Sequence, residues 1–198
     1  MMINILKEIK TSIIATLVFA VVVCGFYPLA VWVFGQVLFP HQANGSLITD
    51  AQGQVIGSEL IGQQFTAPAY FHPRPSAAGA GYDATASGGS NLGPTSQKLA
   101  DQVKQRIADY RKENNLAAAV AVPADAATAS ASGLDPQISL ENAKIQLARV
   151  AKARGVDASD IQTLVNENTD GRSLGIFGEP GVNVLTLNIA LDKMYPVK

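Results

Sequence analysis

Apolar positions are distributed in two ways along the chain. From residue 13 to residue 34 they are continuous: IIATLVFAVVVCGFYPLAVWVF contains no Asp, Glu, Lys or Arg. As a helix this stretch would extend roughly 33 Å at about 1.5 Å per residue, enough to cross a hydrocarbon core roughly 30 Å thick. A core helix of that length carries a polar face, and none is present here. A cleaved signal peptide has a shorter run, about 7–15 residues, closed by a small-x-small site; the best such site, Val18-Phe19-Ala20, lies in mid-run. Val23 stands where a lipid-attachment site at Cys24 needs a small residue. The pattern predicts a retained transmembrane helix over residues 11–36, with Pro28 inside it. Membrane helices tolerate proline where a local adjustment re-satisfies the freed carbonyl.

After the run, apolar positions become periodic. Pro40, Asn44 and Gly45 mark a turn, so residues 37–46 form a neck and residues 47–198 a domain. Residues 47–57 read as a hairpin with a five-residue loop, Thr49 to Gly53. Residues 66–94 hold four prolines and five glycines together with Tyr70, Phe71 and Tyr82, which predicts irregular backbone packed down by its aromatics. Leu99, Val103, Ile107 and Tyr110 recur at helical spacing, predicting a helix over 95–114 capped by Thr95 or Ser96. Residues 116–132 have a linker-like composition, with a short strand expected at 119–122. A second helix is predicted over 139–154, capped by Ser139 and stopped by Gly155. A third follows over 158–168, capped by Asp157. A strand over 182–185 and a last helix over 187–194 complete the reading. The fold class is thus a single N-terminal transmembrane helix followed by one mixed α+β domain.

Charge sets the expected orientation. Lys7 and Lys10 precede the run, and the next Lys or Arg is Arg74. The positive-inside rule places residues 1–10 in the cytoplasm as a short tail, making the domain extracytoplasmic. Tyr27, Trp32, Phe34 and Phe39 crowd the far end of the run, where aromatic residues meet the headgroups. The chain of 198 residues has a net charge of −1 and no basic cluster, which argues against nucleic-acid binding. Cys24, the one cysteine, lies in the span, so the domain has no disulfide. His41 and His72 are the only histidines, too few for a Cys/His zinc site. Carboxylates do not cluster as a divalent-metal site requires.

Candidate chemistry is sparse. Ser87, Gly88, Gly89, Ser90 and Asn91 form a glycine-containing stretch, but no Gly-Lys-Ser/Thr follows and no apolar strand precedes it. It is also not a nucleophile elbow. A structural turn is favoured over a phosphate cradle, with a nucleotide or partner loop as the alternative. Arg74 sits between Pro73 and Pro75 on a rigid segment, where it could hold a carboxylate of a partner. No catalytic residue is assigned.

Several ordered blocks resemble the C subunit of the Kdp-type potassium-transporting ATPase. They are QANGSLI (42–48), GSELIGQ (57–63), YFHPRPS (70–76), ASGGSNL (86–92), TASASGLD (128–135), RVAKAR (149–154) and VNVLTLNIALD (182–192). The resemblance covers nearly the whole chain. It implies a non-catalytic subunit of a bacterial inner-membrane complex that uses ATP to move potassium. The implied partners are a channel-like potassium-binding subunit, a P-type ATPase catalytic subunit, a small membrane peptide and membrane lipid. The family carries two proposals for the C subunit: a catalytic chaperone raising the ATP affinity of the pump, and an extracytoplasmic cap over the ion entrance. The stretch from Ser87 to Asn91 faintly resembles the signature loop of transporter ATPases. The span becomes, by the same resemblance, a docking helix shaped by Gly25 and Pro28.

Overall fold

The computed structural model describes residues 2–197, which divide into two compact units, one through residue 47 and the other from residue 48. The first unit is dominated by a helix in three registers. Helix α1 (Met2–Phe19) passes into a π-helical segment (Ala20–Phe26) and then into α2 (Tyr27–Leu38). Within it, Asn4–Leu38 is one 35-residue stretch long and apolar enough to cross a membrane, and its most apolar window is wholly unburied. A soluble core helix would bury that surface, so by length, composition and exposure the stretch is a candidate membrane span. The π segment ends at Phe26, two residues before Pro28. Proline has no N–H to donate and crowds the carbonyl four residues back. The wider π turn, in which the Tyr27 N–H bonds the Val22 carbonyl, eases the backbone at that point. Past α2, Phe39 leaves helical geometry and Pro40 opens the short α3 (Pro40–Ala43). Here the amides of Gln36 and Asn44 bond each other.

The second unit opens with a hairpin, β1 (Leu47–Thr49) and β2 (Val55–Ser58). Asp50 closes its loop by accepting from the Gln52 and Gln54 N–H groups at 2.9 and 2.8 Å. From residue 59 to residue 96 there is no helix, and only the isolated bridge of Ile61 with Ser58 interrupts the irregular backbone. Helix α4 (Gln97–Glu113) follows, capped by Ser96 rather than Thr95: the Ser96 hydroxyl accepts from the Leu99 N–H. Helix α5 (Ala124–Ala127) lies where the sequence suggested a linker, and residues 119–122 form no strand.

The core is built by β3 (Gln137–Ser139), α6 (Leu140–Arg154), α7 (Ala158–Glu167), β4 (Thr169–Asp170), β5 (Gly181–Asn183) and α8 (Val184–Met194). The strands form an antiparallel sheet in the order β3-β5-β4, with Val182 opposite both Ile138 and Thr169. Ile138, Leu147, Val150, Ile161, Val165, Val182, Leu187 and Leu191 make one buried cluster, joined from the irregular region by Phe71. Two boundaries differ from expectation. Residues 184 and 185 are helical, because the Asn183 side chain accepts from the Leu185 and Thr186 N–H groups and starts α8 directly from the strand. Asp157 occupies the cap position of α7 without a capping bond from its side chain. Ser139 caps α6 through the Asn142 N–H, and Gly155 ends it at φ 68°, as the sequence suggested.

Candidate functional site

The most elaborate polar structure surrounds residues 67–76. This segment has no ladder partner, and buried backbone groups must find partners elsewhere. Side chains from α6 and α8 supply them. Asn188 accepts from the Phe71 N–H and donates to the Phe71 carbonyl, both at 2.9 Å. Gln146 does the same for His72, at 2.7 and 3.0 Å. Two side-chain amides thereby stand in for the neighbouring strand. Arg149 donates to the carbonyls of Pro68 and Tyr70, and Arg154 to that of Ala69. Arg154 also reaches the Tyr195 carbonyl and Asp192, and its guanidinium lies 4.9 Å from the Tyr70 ring centre. The network runs on through Asn142, which receives bonds from Gln146 and Tyr110 and donates to Asp125. Phe71, with no exposed surface, anchors the segment in the core.

His72 sits at the edge of this cradle. Its Nε2 faces the Ala67 carbonyl at 3.0 Å and its Nδ1 faces Glu113. Both ring nitrogens face acceptor oxygens of the chain itself, so the imidazole is taken up by the fold. Burial pushes the Glu113 carboxyl up, but the hydrogen bond and charge of His72, with Arg149 behind them, hold it below its ordinary value. Burial lowers the Arg149 guanidinium, an effect that Glu113 and Tyr110 oppose. Burial likewise raises the phenols of Tyr110 and Tyr82 well above the usual tyrosine range.

Residues singled out from sequence fall into three places. Arg74 bonds Asp135 at 2.8 Å, with both side chains partly exposed, and its carbonyl accepts from the Tyr82 hydroxyl. The stretch 87–91 lies along residues 131–133. The Gly88 N–H and the Ser87 hydroxyl both donate to the Ser132 carbonyl, at 2.8 and 3.0 Å. A Cβ on Gly89 would stand 2.9 Å from the Ala131 carbonyl oxygen. Gly133, at φ 68°, has room for no side chain, because a Cβ would come within 2.7 Å of the Ala78 nitrogen and the Gly88 oxygen. Ser90 and Asn91 are exposed, and Asn91 has φ 51°. Gly25 and Pro28 lie in the first unit, where a Cβ on Gly25 would meet nothing within 4 Å.

The cradle residues Asn142, Gln146, Arg149, Arg154 and Asn188 were not singled out from sequence. The signal was there: Asn142 and Gln146 stand four apart beside the inward Ala143 and Leu147, and polar groups on a buried helix face demand partners. The arrangement as a whole fixes an irregular segment. It gathers no nucleophile with a base, and no group of three His, Cys, Asp or Glu could hold a metal among the described residues.

Comparison with known proteins gives the family. The model of the family described as K+-transporting ATPase, c chain (KdpC), matches residues 9–193. The potassium-transporting ATPase KdpC subunit of Mycobacterium tuberculosis (strain ATCC 25618 / H37Rv) is 55% identical over 188 residues, covering 95% of this chain and 99% of the relative. The KdpC subunit of Caulobacter vibrioides (strain NA1000 / CB15N) is 52% identical over 191 residues, 96% and 95% of the two chains. That of Myxococcus xanthus is 56% identical over 169 residues, 85% and 80% of the two chains. The chain belongs to the KdpC family, non-catalytic subunits of the Kdp ATPase, a complex that uses ATP to transport K+.

Proposed function

We propose that the chain supports assembly and activity of the Kdp complex from the extracytoplasmic side of the inner membrane. In this reading residues 1–10 are a cytoplasmic tail, 11–36 cross the membrane, 37–46 are a neck and 47–198 fold outside. Its partners are the channel-like potassium-binding subunit, the P-type ATPase subunit and the small membrane peptide. The lysines at 7 and 10, followed by none until residue 98 and no Arg before 74, support that orientation.

The observation that carries the mechanism is the state of the glycine stretch. The Gly88 N–H and the Ser87 hydroxyl already bond the Ser132 carbonyl. A phosphate cradle needs several free N–H groups turned to one point. ATP is also cytoplasmic. Any rise in the ATP affinity of the pump is therefore indirect: the docked domain favours one conformational state over another. Arg74, now paired with Asp135, would meet a partner only by sharing or exchanging that carboxylate. A cap over the ion entrance with no influence on nucleotide affinity is the second reading, favoured by the inward-turned polar network.

A Ser90→Cys variant, with Cys24 replaced, tests the sidedness in intact cells. A membrane-impermeant thiol reagent should label it from outside; labelling only after the cytoplasmic face is opened would overturn the reading. Gly25→Leu tests the docking helix. A Cβ there meets nothing within 4 Å in the chain, so loss of co-purification would report a partner helix. Unchanged co-purification would return the span to a plain tether.

A further inference from the structure

The loop between β4 and β5 breaks the rules of its own turn. Ser173 and Phe177 exchange N–H···O=C bonds at 2.8 and 2.9 Å, and the Ile176 N–H reaches the Ser173 carbonyl. Leu174 and Gly175 are the central pair, at φ 54° and 78°. That is a type I′ turn, whose first central position favours Asn, Asp or Gly. Here a leucine occupies it, in a backbone region that a bulky side chain avoids. The leucine is also 89% exposed, with Ile176 at 67% and Phe177 at 61%. At its base Arg172 closes the finger with an ion pair in which one guanidinium nitrogen donates to both Glu179 carboxylate oxygens. Strain together with exposed bulk contributes nothing to the fold of the chain alone, and such outliers cluster at functional sites.

The surroundings decide what the finger meets. Between residues 155 and 192 the chain has one basic residue, Arg172, against six acidic ones, of which Asp192 is paired with Arg154. Beside the finger's root lies a depression of about 550 Å³ that includes Glu59, Glu167 and Asp170, with the exposed Leu60 on its margin. An anionic membrane surface is repelled by such a face, because lipid-binding segments are basic. A second copy would set acid against acid. A protein surface with an apolar crevice and basic residues around it fits both features.

We infer that residues 172–179 form an insertion finger. It seats Leu174, Ile176 and Phe177 in an apolar crevice of another Kdp subunit, whose basic rim enters the Glu59–Glu167–Asp170 depression. The inference rests on docking of the globular unit within the complex, but not on where nucleotide acts. A photoreactive benzophenone residue at position 177, in the intact complex in native membranes, tests it. One adduct with another Kdp subunit is expected, and its yield should fall several-fold in Glu167→Gln/Asp170→Asn. An adduct with lipid, an adduct with a second copy of this chain, or no adduct would overturn the inference. In parallel, Leu174→Ser/Ile176→Ser/Phe177→Ser should reduce co-purification with the complex by about tenfold or more while the thermal melt of the isolated chain stays unchanged. Full incorporation of that variant would sink the finger. The docking reading itself would fail only if deletion of residues 40–198 left the complex fully active.

Discussion

Two irregular segments of the globular unit have opposite designs. Residues 67–76 and 172–179 are both rich in glycine or proline, and both carry aromatic side chains. In the first, Phe71 is wholly buried, and backbone groups from Ala67 to His72 are bonded by side chains more than sixty residues away, apart from local bonds at Ala67. In the second, Leu174, Ile176 and Phe177 face out, and the bonds are local: four turn contacts and one ion pair. The difference shows that lack of regular structure says nothing about order or purpose. The first segment is a part of the core that uses amides and guanidinium groups in place of a strand. The second holds a shape that its own chain gives it no reason to keep.

Breaking the first segment should have the largest effect. Phe71→Ala removes a fully buried ring and is expected to cost about 3–5 kcal/mol, read as a lowered denaturation midpoint of the detergent-solubilised chain. Asn188→Ala leaves the buried N–H and carbonyl of Phe71 without partners, at roughly 1–3 kcal/mol for each unsatisfied group. A loss under about 1 kcal/mol in both would mean that the cradle is ornament and the comparison fails.

A smaller effect is expected at the cradle's edge. The Glu113 carboxyl lies below its ordinary value in the folded chain. A depressed carboxylate contributes stability that is present above its unfolded pKa, about 4.3. That contribution is lost as pH falls through the lower folded value. Unfolding midpoints followed below about pH 5 should therefore drop less steeply in Glu113→Gln than in the parent. Equal slopes would show that the His72 contact does not favour the charged form. The corresponding change at residues 172–179 is absent, since Arg172 and Glu179 are both exposed and such pairs contribute little.

How much of this was legible in the sequence follows the range of the forces involved. The apolar helix, α4, α6 and the caps at Ser96 and Ser139 depend on neighbours within a few residues, and periodicity reveals them. Strands β3 and β4 are three and two residues long and exist only because β5 lies between them, so no local pattern announces them. Helix α8 begins earlier than expected because the Asn183 side chain caps it, overriding the β-branched residues at 182 and 184. The π segment answers Pro28, whose presence was evident although the form of the backbone adjustment was not. The cradle was hidden for a different reason. Gln146 and His72 are 74 residues apart and Asn188 and Phe71 are 117 apart, and only the fold brings them together.

The smallest effect on stability separates the two segments most sharply. Leu174→Asn keeps the type I′ turn and supplies a residue that tolerates positive φ. It removes an exposed side chain that touches little of its own chain. The folded state should gain between about zero and 1 kcal/mol, which a melt of the isolated chain would register as an unchanged or slightly raised midpoint. Incorporation into the Kdp complex should nevertheless fall, because the apolar tip is gone. A core residue such as Phe71 cannot give that combination: its loss lowers stability and assembly together. If Leu174→Asn instead destabilised the chain by more than about 1 kcal/mol, the leucine would be packing within its own fold and the outward design of the segment would be wrong.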